Sequence, residues 1–278
     1  MFSLRARAER PQKPFRNIDA QAVRALLTER TLHGVNLVDV REPEEFETGH
    51  IPGATLIPLG QLPNRLAELD PSKPTVVYCK MGGRGMAGAG ILAGAGFADV
   101  SNLNGGIGGW DGQAIEGAPE AGWTWFAGAD SLEELLEQAW LIEEGAALFY
   151  ARAAELVDAD ARTVFEELAA AEQEHKGEVE NLYRKMLGRE PEFDETQLPE
   201  LVEGGLRLSD ALRWLEGKDT ATVMEMAMAL EATAFDRYAQ LSRLATDDDQ
   251  RAALKAMTTG EQNHLEQVTR AFARRLAA

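Results

Sequence analysis

Residues 139–150 read AWLIEEGAALFY, and residues 226–238 read MAMALEATAFDRY. In each stretch a Glu interrupts an apolar run and a Tyr follows seven positions later, Glu143 with Tyr150 and Glu231 with Tyr238, although Glu144 beside Glu143 competes for the first assignment. Downstream of the first, residues 167–178 read ELAAAEQEHKGE; downstream of the second, residues 257–267 read MTTGEQNHLEQ. These supply the pairs Glu172/His175 and Glu261/His264. The lone acids recur at an offset of 88 residues and both members of the pairs at 89. Matched offsets of this kind mark two similar helix pairs.

Outward from that repeat, everything from Ser131 is rich in Ala, Leu and Glu, with apolar residues three and four apart. The pattern predicts amphipathic helices at 131–157, 159–186, 219–244 and 248–276, an all-α four-helix bundle. A longer connection from Gly188 to Lys218 carries Pro191, Pro199 and Gly204-Gly205. Glu-x-x-His sets both side chains on one helix face about one turn apart, within reach of a common ion. A lone carboxylate in an apolar stripe is costly to bury without a partner, and a metal relieves that cost. One Glu-x-x-His in helices this acidic is most simply a solvated face, but the matched duplicate outweighs that reading. Two lone Glu and two Glu-x-x-His pairs make the ligand set of carboxylate-bridged dimetal sites in ferritin-like bundles.

The first half reads differently. From Asn17 to about Ile115, short β-branched runs alternate with helical patterns, which predicts a compact α/β sheet domain. The strand candidates are Asn36–Asp39, Ala54–Ile57, Thr75–Tyr78 and Val100–Leu103. Helical stretches run from Asp19, a plausible N-cap, to Leu27 and from Leu62 to Leu69. Residues 75–97, TVVYCKMGGRGMAGAGILAGAGF, carry a strand ending at Cys79, a Gly-rich loop and a helix starting near Gly85. Loop amides, helix dipole, Lys80 and Arg84 there all favour a thiolate. Gly82, Gly83 and Gly85 let amides point inward, making an anion cradle with sulfur at its base. A buried core thiol is the plain alternative for a lone Cys. Gly83 to Gly88 also spells G-x-G-x-x-G, but the next strand ends in Asn102-Leu103-Asn104 without the acidic residue a dinucleotide site wants.

Length and charge fit this division. At 278 residues, 45% hydrophobic and 27% charged, the chain suits two globular domains. Residues up to Gly128 carry net −2 and those from Ala129 net −16, so nearly all of the total of −18 lies in the helical half. That balance argues against nucleic acid and anionic membranes as partners. No apolar stretch approaches a membrane span of roughly 20 residues. The expected organisation is a basic tail at 1–16, an α/β domain at 17–115, a linker at 116–130 and the bundle at 131–278. The tail has no apolar core, which excludes a secretory signal and leaves an Arg-rich presequence as the alternative. The single Cys forbids an internal disulfide and suits a reducing cytoplasm.

Three separated blocks give the first half a family resemblance. LVDVREPEEFETGHIPGA at 37–54, CKMGGRG at 79–85 and GFADVSNLNGGIGGW at 96–110 resemble the single-domain rhodaneses. The resemblance implies that Cys79 takes a sulfane sulfur from a thiosulfate or persulfide donor, holds it as a persulfide and passes it to a thiol or cyanide-type acceptor. The loop residues Lys80, Met81, Gly82, Gly83, Arg84 and Gly85 would bind the anionic donor. Four residues separate Cys79 from Arg84, as in sulfurtransferases, whereas the related phosphatases have five and a wider cradle. Gly85 stands where the family often has Ser. Asp39, Arg41 and His50, in the matching blocks, read as structural residues that pin neighbouring loops.

The second half resembles the rubrerythrin branch of the ferritin-like superfamily, through LIEEGAALFYARAA, FEELAAAEQEH, LEATAFDRY and GEQNH. Carried over residue by residue, the metal ligands are Glu143, Glu172, His175, Glu231, Glu261 and His264. Tyr150 and Tyr238 are candidates to hydrogen-bond those ligands, with core packing as the equal alternative. Two iron ions are the implied cofactor, with Mn or Zn as alternatives. The implied chemistry is reaction with peroxide or dioxygen, drawing on an external electron donor. The chain departs from rubrerythrins proper at Ala234, where a further Glu is usual, and in having no four-Cys rubredoxin module. The resemblance also implies a homodimer through the bundle. The whole reads as a persulfide-forming sulfurtransferase fused to a di-iron bundle; the alternative is a sulfur carrier joined to an iron-sequestering bundle without turnover.

Overall fold

The computed structural model describes residues 15–30, 34–118, 131–194, 197–245 and 248–277. The chain divides into two compact units. Among the described residues the first comprises 15–30, Gly34–Glu42 and Leu56–Asp111, the second Pro43–Thr55 and those from Gly112 onward. Most of the expected linker at 116–130 lies outside the described residues.

The α/β unit is built on a five-stranded sheet of β1 (Arg16–Ile18), β2 (Asn36–Asp39), β3 (Thr55–Leu56), β4 (Thr75–Tyr78) and β5 (Val100–Leu103), in the order β1-β5-β4-β2-β3. β1 pairs with β5, β5 with β4 and β4 with β2, all in parallel. Strands buried on both faces are written as apolar runs, and Val76, Val77 and Tyr78 of β4 are fully buried. α1 (Ala20–Arg30) is capped by Asp19, whose Oδ1 accepts the Ala22 N–H at 2.9 Å. α3 (Gly83–Gly94) packs closely on the sheet because residue 88 is Gly. A Cβ there would lie 3.1 Å from Val77 and 3.2 Å from Val40. Asp39 at the end of β2 is fully buried and held by a forked pair to Arg41, with Nη2 to Oδ2 at 2.7 Å and Nε to Oδ2 at 2.9 Å.

Three details of this unit differ from the sequence reading. Leu62 to Leu69 forms two 3-10 turns, Leu62–Asn64 and Leu66–Glu68, because Pro63 at the first turn leaves no continuous ladder. β3 is shortened to two residues, and α3 starts at Gly83 rather than near Gly85. β1 begins at Arg16, inside the stretch read as a tail, since three mostly exposed residues carry no apolar alternation.

In the second unit α2 (Pro43–Glu47) carries Phe46, whose ring stacks on His50 at 3.6 Å. The backbone of His50 bridges Ile115. Four long helices follow: α4 (Leu132–Leu156), α5 (Ala159–Leu187), α7 (Thr220–Leu244) and α8 (Asp248–Leu276), with α6 (Leu208–Leu215) in the long connection. The starts of α4, α5 and α7 follow from side chains that cap exposed amides. Ser131 accepts the Glu134 N–H at 3.2 Å, Asp158 the Ala161 N–H at 3.3 Å and Asp219 the Thr222 N–H at 2.8 Å. α5 stops at Gly188, which takes the left-handed conformation at φ 69°.

Two apolar clusters fill the bundle. One gathers Phe149, Tyr150, Phe165, Leu168, Met224, Met228 and Val268, the other Leu136, Trp140, Tyr183, Tyr238, Leu241 and Met257. Along each helix the expected ligands fall between the two: Glu143 between Ile142 and Ala146, Glu172 between Leu168 and Val179, Glu261 between Met257 and Val268. A polar layer is thus enclosed between two apolar ones. No helix among the described residues is long and apolar enough to cross a membrane.

Candidate functional site

Cys79 follows directly on β4, at the carboxyl end of a central parallel strand where ligands bind in open α/β sheets. It is 3% exposed, and its Sγ accepts the Gly82 N–H at 3.2 Å. Gly82 takes φ 91°, which turns its amide toward the sulfur and opens α3 one residue later. Lys80, Met81 and Gly83 are exposed, Gly82 and Gly85 buried and Arg84 half-buried. The segment after β5 fixes the base of this loop. Ile107 N–H donates to the Cys79 carbonyl at 2.8 Å and Gly108 N–H to the Lys80 carbonyl at 3.0 Å. The approach is so close that a Cβ on Gly106, at φ 60°, would stand 2.1 Å from the Cys79 carbonyl oxygen.

Gly85 has a structural reason as well. A Cβ there would lie 2.2 Å from Asn102 Oδ1. Asn102 is 2% exposed and donates through Nδ2 to Asn17 at 2.8 Å, while its Oδ1 has no hydrogen bond. The amide of Asn102 thus stands where a side chain at 85 would reach. Its only sequence signal was a polar residue inside a short strand.

The helical unit brings together all six residues expected to bind metal. Glu143 projects from α4, Glu172 and His175 from α5, Glu231 from α7, Glu261 and His264 from α8. The four Glu are fully buried and each His is 6% exposed. His175 Nδ1 stands 3.1 Å from Glu261, 3.2 Å from Glu172 and 3.5 Å from Glu143. His264 Nδ1 stands 3.2 Å from Glu172, 3.4 Å from Glu231 and 3.7 Å from Glu261. Glu172 and Glu261 therefore face both imidazoles, while Glu143 and Glu231 each face one. The rings stack at 4.8 Å. Close as they are, both oxygens of Glu172, Glu231 and Glu261 and both Nδ1 atoms lack a well-formed hydrogen bond.

That deficit is a test of metal fit, and the residues pass it. Buried acceptors without donors are costly, and an oxygen- and nitrogen-rich set facing inward is what a divalent transition metal completes. Glu172, His175, Glu261 and His264 each offer one atom within 4.8 Å of the others. The protonation pattern reflects the same crowding. Burial pushes Glu143 up to about 8 against the pull of His175. Burial also drives Glu231 well above the carboxylate range, with His264 opposing and Glu172 and Glu261 adding repulsion. Burial works against ionised Glu261 too, yet His175 and His264 hold it at about 2. For His175, burial is outweighed by Glu261, Glu143 and Glu172, which raise it; Glu172, Glu231 and Glu261 do the same for His264. The set as a whole calls for positive charge, which a bound metal would supply.

The tyrosines part company. Tyr238 Oη donates to Glu143. Tyr150 is fully buried with its ring 5.4 Å from Phe149 and 6.2 Å from Phe165, and its hydroxyl faces Glu231 without a well-formed hydrogen bond. Ala234 is fully buried in the apolar cluster around Trp140. One carboxylate near the site was absent from the sequence reading. Glu203, in the 3-10 turn Glu203–Gly205 of the long connection, is fully buried, and one of its oxygens lies within 4.8 Å of atoms of Glu143, Glu172 and Glu261. It lies outside the helical repeat, and nothing in VEGG marks it as buried.

A cysteine at the mouth of a parallel sheet and a carboxylate/imidazole layer in a helical bundle define a two-part protein, an α/β part with a cysteine-bearing loop and a helical part with a buried cluster of metal-binding type. Comparison with known proteins bears this out: the rhodanese-like domain model matches residues 19–113 and the rubrerythrin model residues 134–272. The chain belongs to the rhodanese-like family in its first part and to the rubrerythrin family in its second. Thiosulfate sulfurtransferase GlpE of Pseudomonas syringae pv. syringae (strain B728a) is 35% identical over 96 residues, 34% of this chain and 87% of that protein. A sulfurtransferase of Allochromatium vinosum is 38% identical over 76 residues, 27% of this chain and 71% of that protein. Protein YqhL of Bacillus subtilis (strain 168) is 46% identical over 77 residues, 28% of this chain and 61% of that protein. The chain thus spans less than two thirds of YqhL's length.

Proposed function

We propose that the protein is a rhodanese-type sulfurtransferase with a non-haem di-iron centre in its helical unit. The observation that carries the first part is Cys79 at the carboxyl end of β4, its Sγ met by the Gly82 amide. In this reading the Cys79 thiolate attacks the outer sulfur of thiosulfate. The S–S bond breaks, sulfite leaves with the bonding pair, and Cys79 carries a persulfide. An acceptor thiolate or cyanide then attacks the terminal sulfur and restores the Cys79 thiolate. Arg84 and Lys80 attract the anionic donor, and loop amides such as that of Gly82 receive the sulfur's negative charge.

The second part rests on the buried layer of Glu143, Glu172, His175, Glu231, Glu261 and His264. These residues would hold two metal ions, Glu172 and Glu261 facing both imidazoles. Bound iron would supply electron transfer to peroxide or dioxygen. The protein's own part is to keep the ligands fixed between two apolar clusters, and the Tyr238 hydroxyl holds Glu143 by its hydrogen bond.

Two measurements test the reading. Thiosulfate-dependent sulfur transfer by the purified protein is expected to fall to background in Cys79→Ser, with metal content unchanged; retained transfer would sink the sulfurtransferase assignment. Metal analysis of anaerobically purified protein, with visible spectra before and after peroxide, is expected to show two iron ions per chain and a spectral change. Iron content with no response to peroxide would leave a sequestering bundle instead.

A further inference from the structure

The connection between α5 and α7 does more than span the bundle. Residues 200–208 form a short strap: Leu201 bridges Arg207, Val202 N–H donates to the Leu206 carbonyl at 2.9 Å, and Leu208 N–H donates to the Glu200 carbonyl at 2.9 Å. The turn at its tip starts with Glu203, and Val202 beside it is 1% exposed. The strap lies hard against α4. A Cβ on Gly145 would stand 2.0 Å from the Leu201 carbonyl oxygen and 3.4 Å from Val202 Cα. Gly145 is two residues from Glu143, so the helix has given up a side chain where the strap enters beside the metal layer.

What the strap delivers is a carboxylate with nothing to bond. Glu203 is 0% exposed and neither Oε1 nor Oε2 has a hydrogen-bond partner. A carboxylate fully removed from water without cation or donor is among the most costly groups a fold can bury. Its surroundings make the case sharper: Glu143, Glu172 and Glu261 lie within 4.8 Å, all acidic. A purely structural side chain at this place would be apolar, as Val202 beside it is. The arrangement calls for positive charge among the four oxygens.

We propose that Glu203 is a further metal ligand, supplied by the strap rather than by a bundle helix, to the ion lying on the Glu143 side of the centre. The proposal rests on the di-iron reading above and adds to it a fifth carboxylate. Six ligands with four carboxylates match two divalent ions in charge. A fifth carboxylate leaves an excess of one negative charge, which favours a pair that includes a trivalent ion.

The test uses the full-length, metal-free protein titrated with Co(II), whose visible d–d bands report its coordination. Wild type is expected to bind two Co(II) per chain. In Glu203→Gln, an isosteric neutral replacement whose amide oxygen can still coordinate weakly, one of the two is expected to bind at least about 10-fold more weakly, with changed d–d bands that a group outside the coordination sphere would not cause. Thermal melts supply a readout of opposite sign. Without metal, Glu203→Gln is expected to melt no lower than wild type, because an unpaired buried carboxylate is gone; the rise in melting temperature on adding Co(II) is expected to shrink. Gly145→Ala keeps every carboxylate but pushes the strap off α4, and is expected to weaken the same ion. Two Co(II) in wild type with unchanged affinity and spectrum in Glu203→Gln would overturn the assignment of Glu203 alone. Failure of wild type to take up Co(II) would overturn the metal reading and this inference with it.

Discussion

In the α/β unit Cys79 is met by a main-chain amide, Gly82 N–H at 3.2 Å, and the loop around it is held by further main-chain bonds to its carbonyl and that of Lys80. In the helical unit each imidazole is met by three carboxylates at 3.1–3.7 Å, with no main-chain group among them. A site made of backbone depends on glycines, which permit its turns and close approaches. A site made of side chains depends on the charge balance of a few positions spread over 122 residues of sequence, Glu143 to His264. The first kind should be sensitive to added methyl groups, and the second to removed charges.

The largest effect expected from that contrast is on charge. Glu261→Ala removes a carboxylate facing both His175 and His264. Metal affinity should fall by more than about 100-fold, beyond the 10- to 100-fold typical of groups that only support ligands. Metal analysis after dialysis reads this, and sulfur transfer should stay at the wild-type rate. Next comes Gly106→Ala, which sets a Cβ 2.1 Å from the Cys79 carbonyl at a positive φ. A loss of about 3 kcal/mol in the α/β unit is expected from denaturant unfolding, with metal content intact. If Gly106→Ala instead lowered metal content and left sulfur transfer alone, the division between the two kinds of site would be wrong.

Gly260→Ala crosses the two categories. A Cβ on Gly260 would lie 2.2 Å from His175 Nε2, so the ring must turn aside. An affinity loss of about 10-fold is expected from a ligand displaced rather than removed, read by competition with a chelator. The smallest effect belongs to Gly85→Ser, where the Asn102 amide must yield its bond to Asn17. About 1 kcal/mol of stability is expected to go with that hydrogen bond. Asn102→Ala in the same chain should restore room for the serine.

The sequence carried these two sites unequally. The repeat of Glu143, Glu172 and His175 at 88 and 89 residues showed the helices almost to their ends, because long amphipathic periods and capping residues such as Ser131 and Asp158 are local signals. β2, β4 and β5 stood out as β-branched runs for a similar reason. Glu203 did not show: it is one acid among the 46 acidic residues, and only the tertiary placement of the strap makes it buried. α6 hid in the same connection, without a side-chain cap to announce its start. Asn102 and Gly106 act through contacts with residues 79–85, far from them in sequence, so propensity and period say nothing about them. Where a residue's role comes from its own helix, the text shows it; where it comes from a neighbour across the fold, the text does not.

The twin helix pairs are alike in ligands but unlike in two small residues. Gly145 corresponds by the 88-residue offset to Thr233, and Gly260 by the 89-residue offset to Ala171. Each glycine lies where one pair has cleared space, the first for the Leu201 carbonyl and the second for the His175 ring. A bundle with full twofold symmetry would offer its ions identical seats. Here the approximate dyad is broken on both counts at the His175 side, so the two seats differ in shape. Two such seats are expected to differ in affinity, so that a metal titration followed by a signal specific to each seat would run in two steps rather than one.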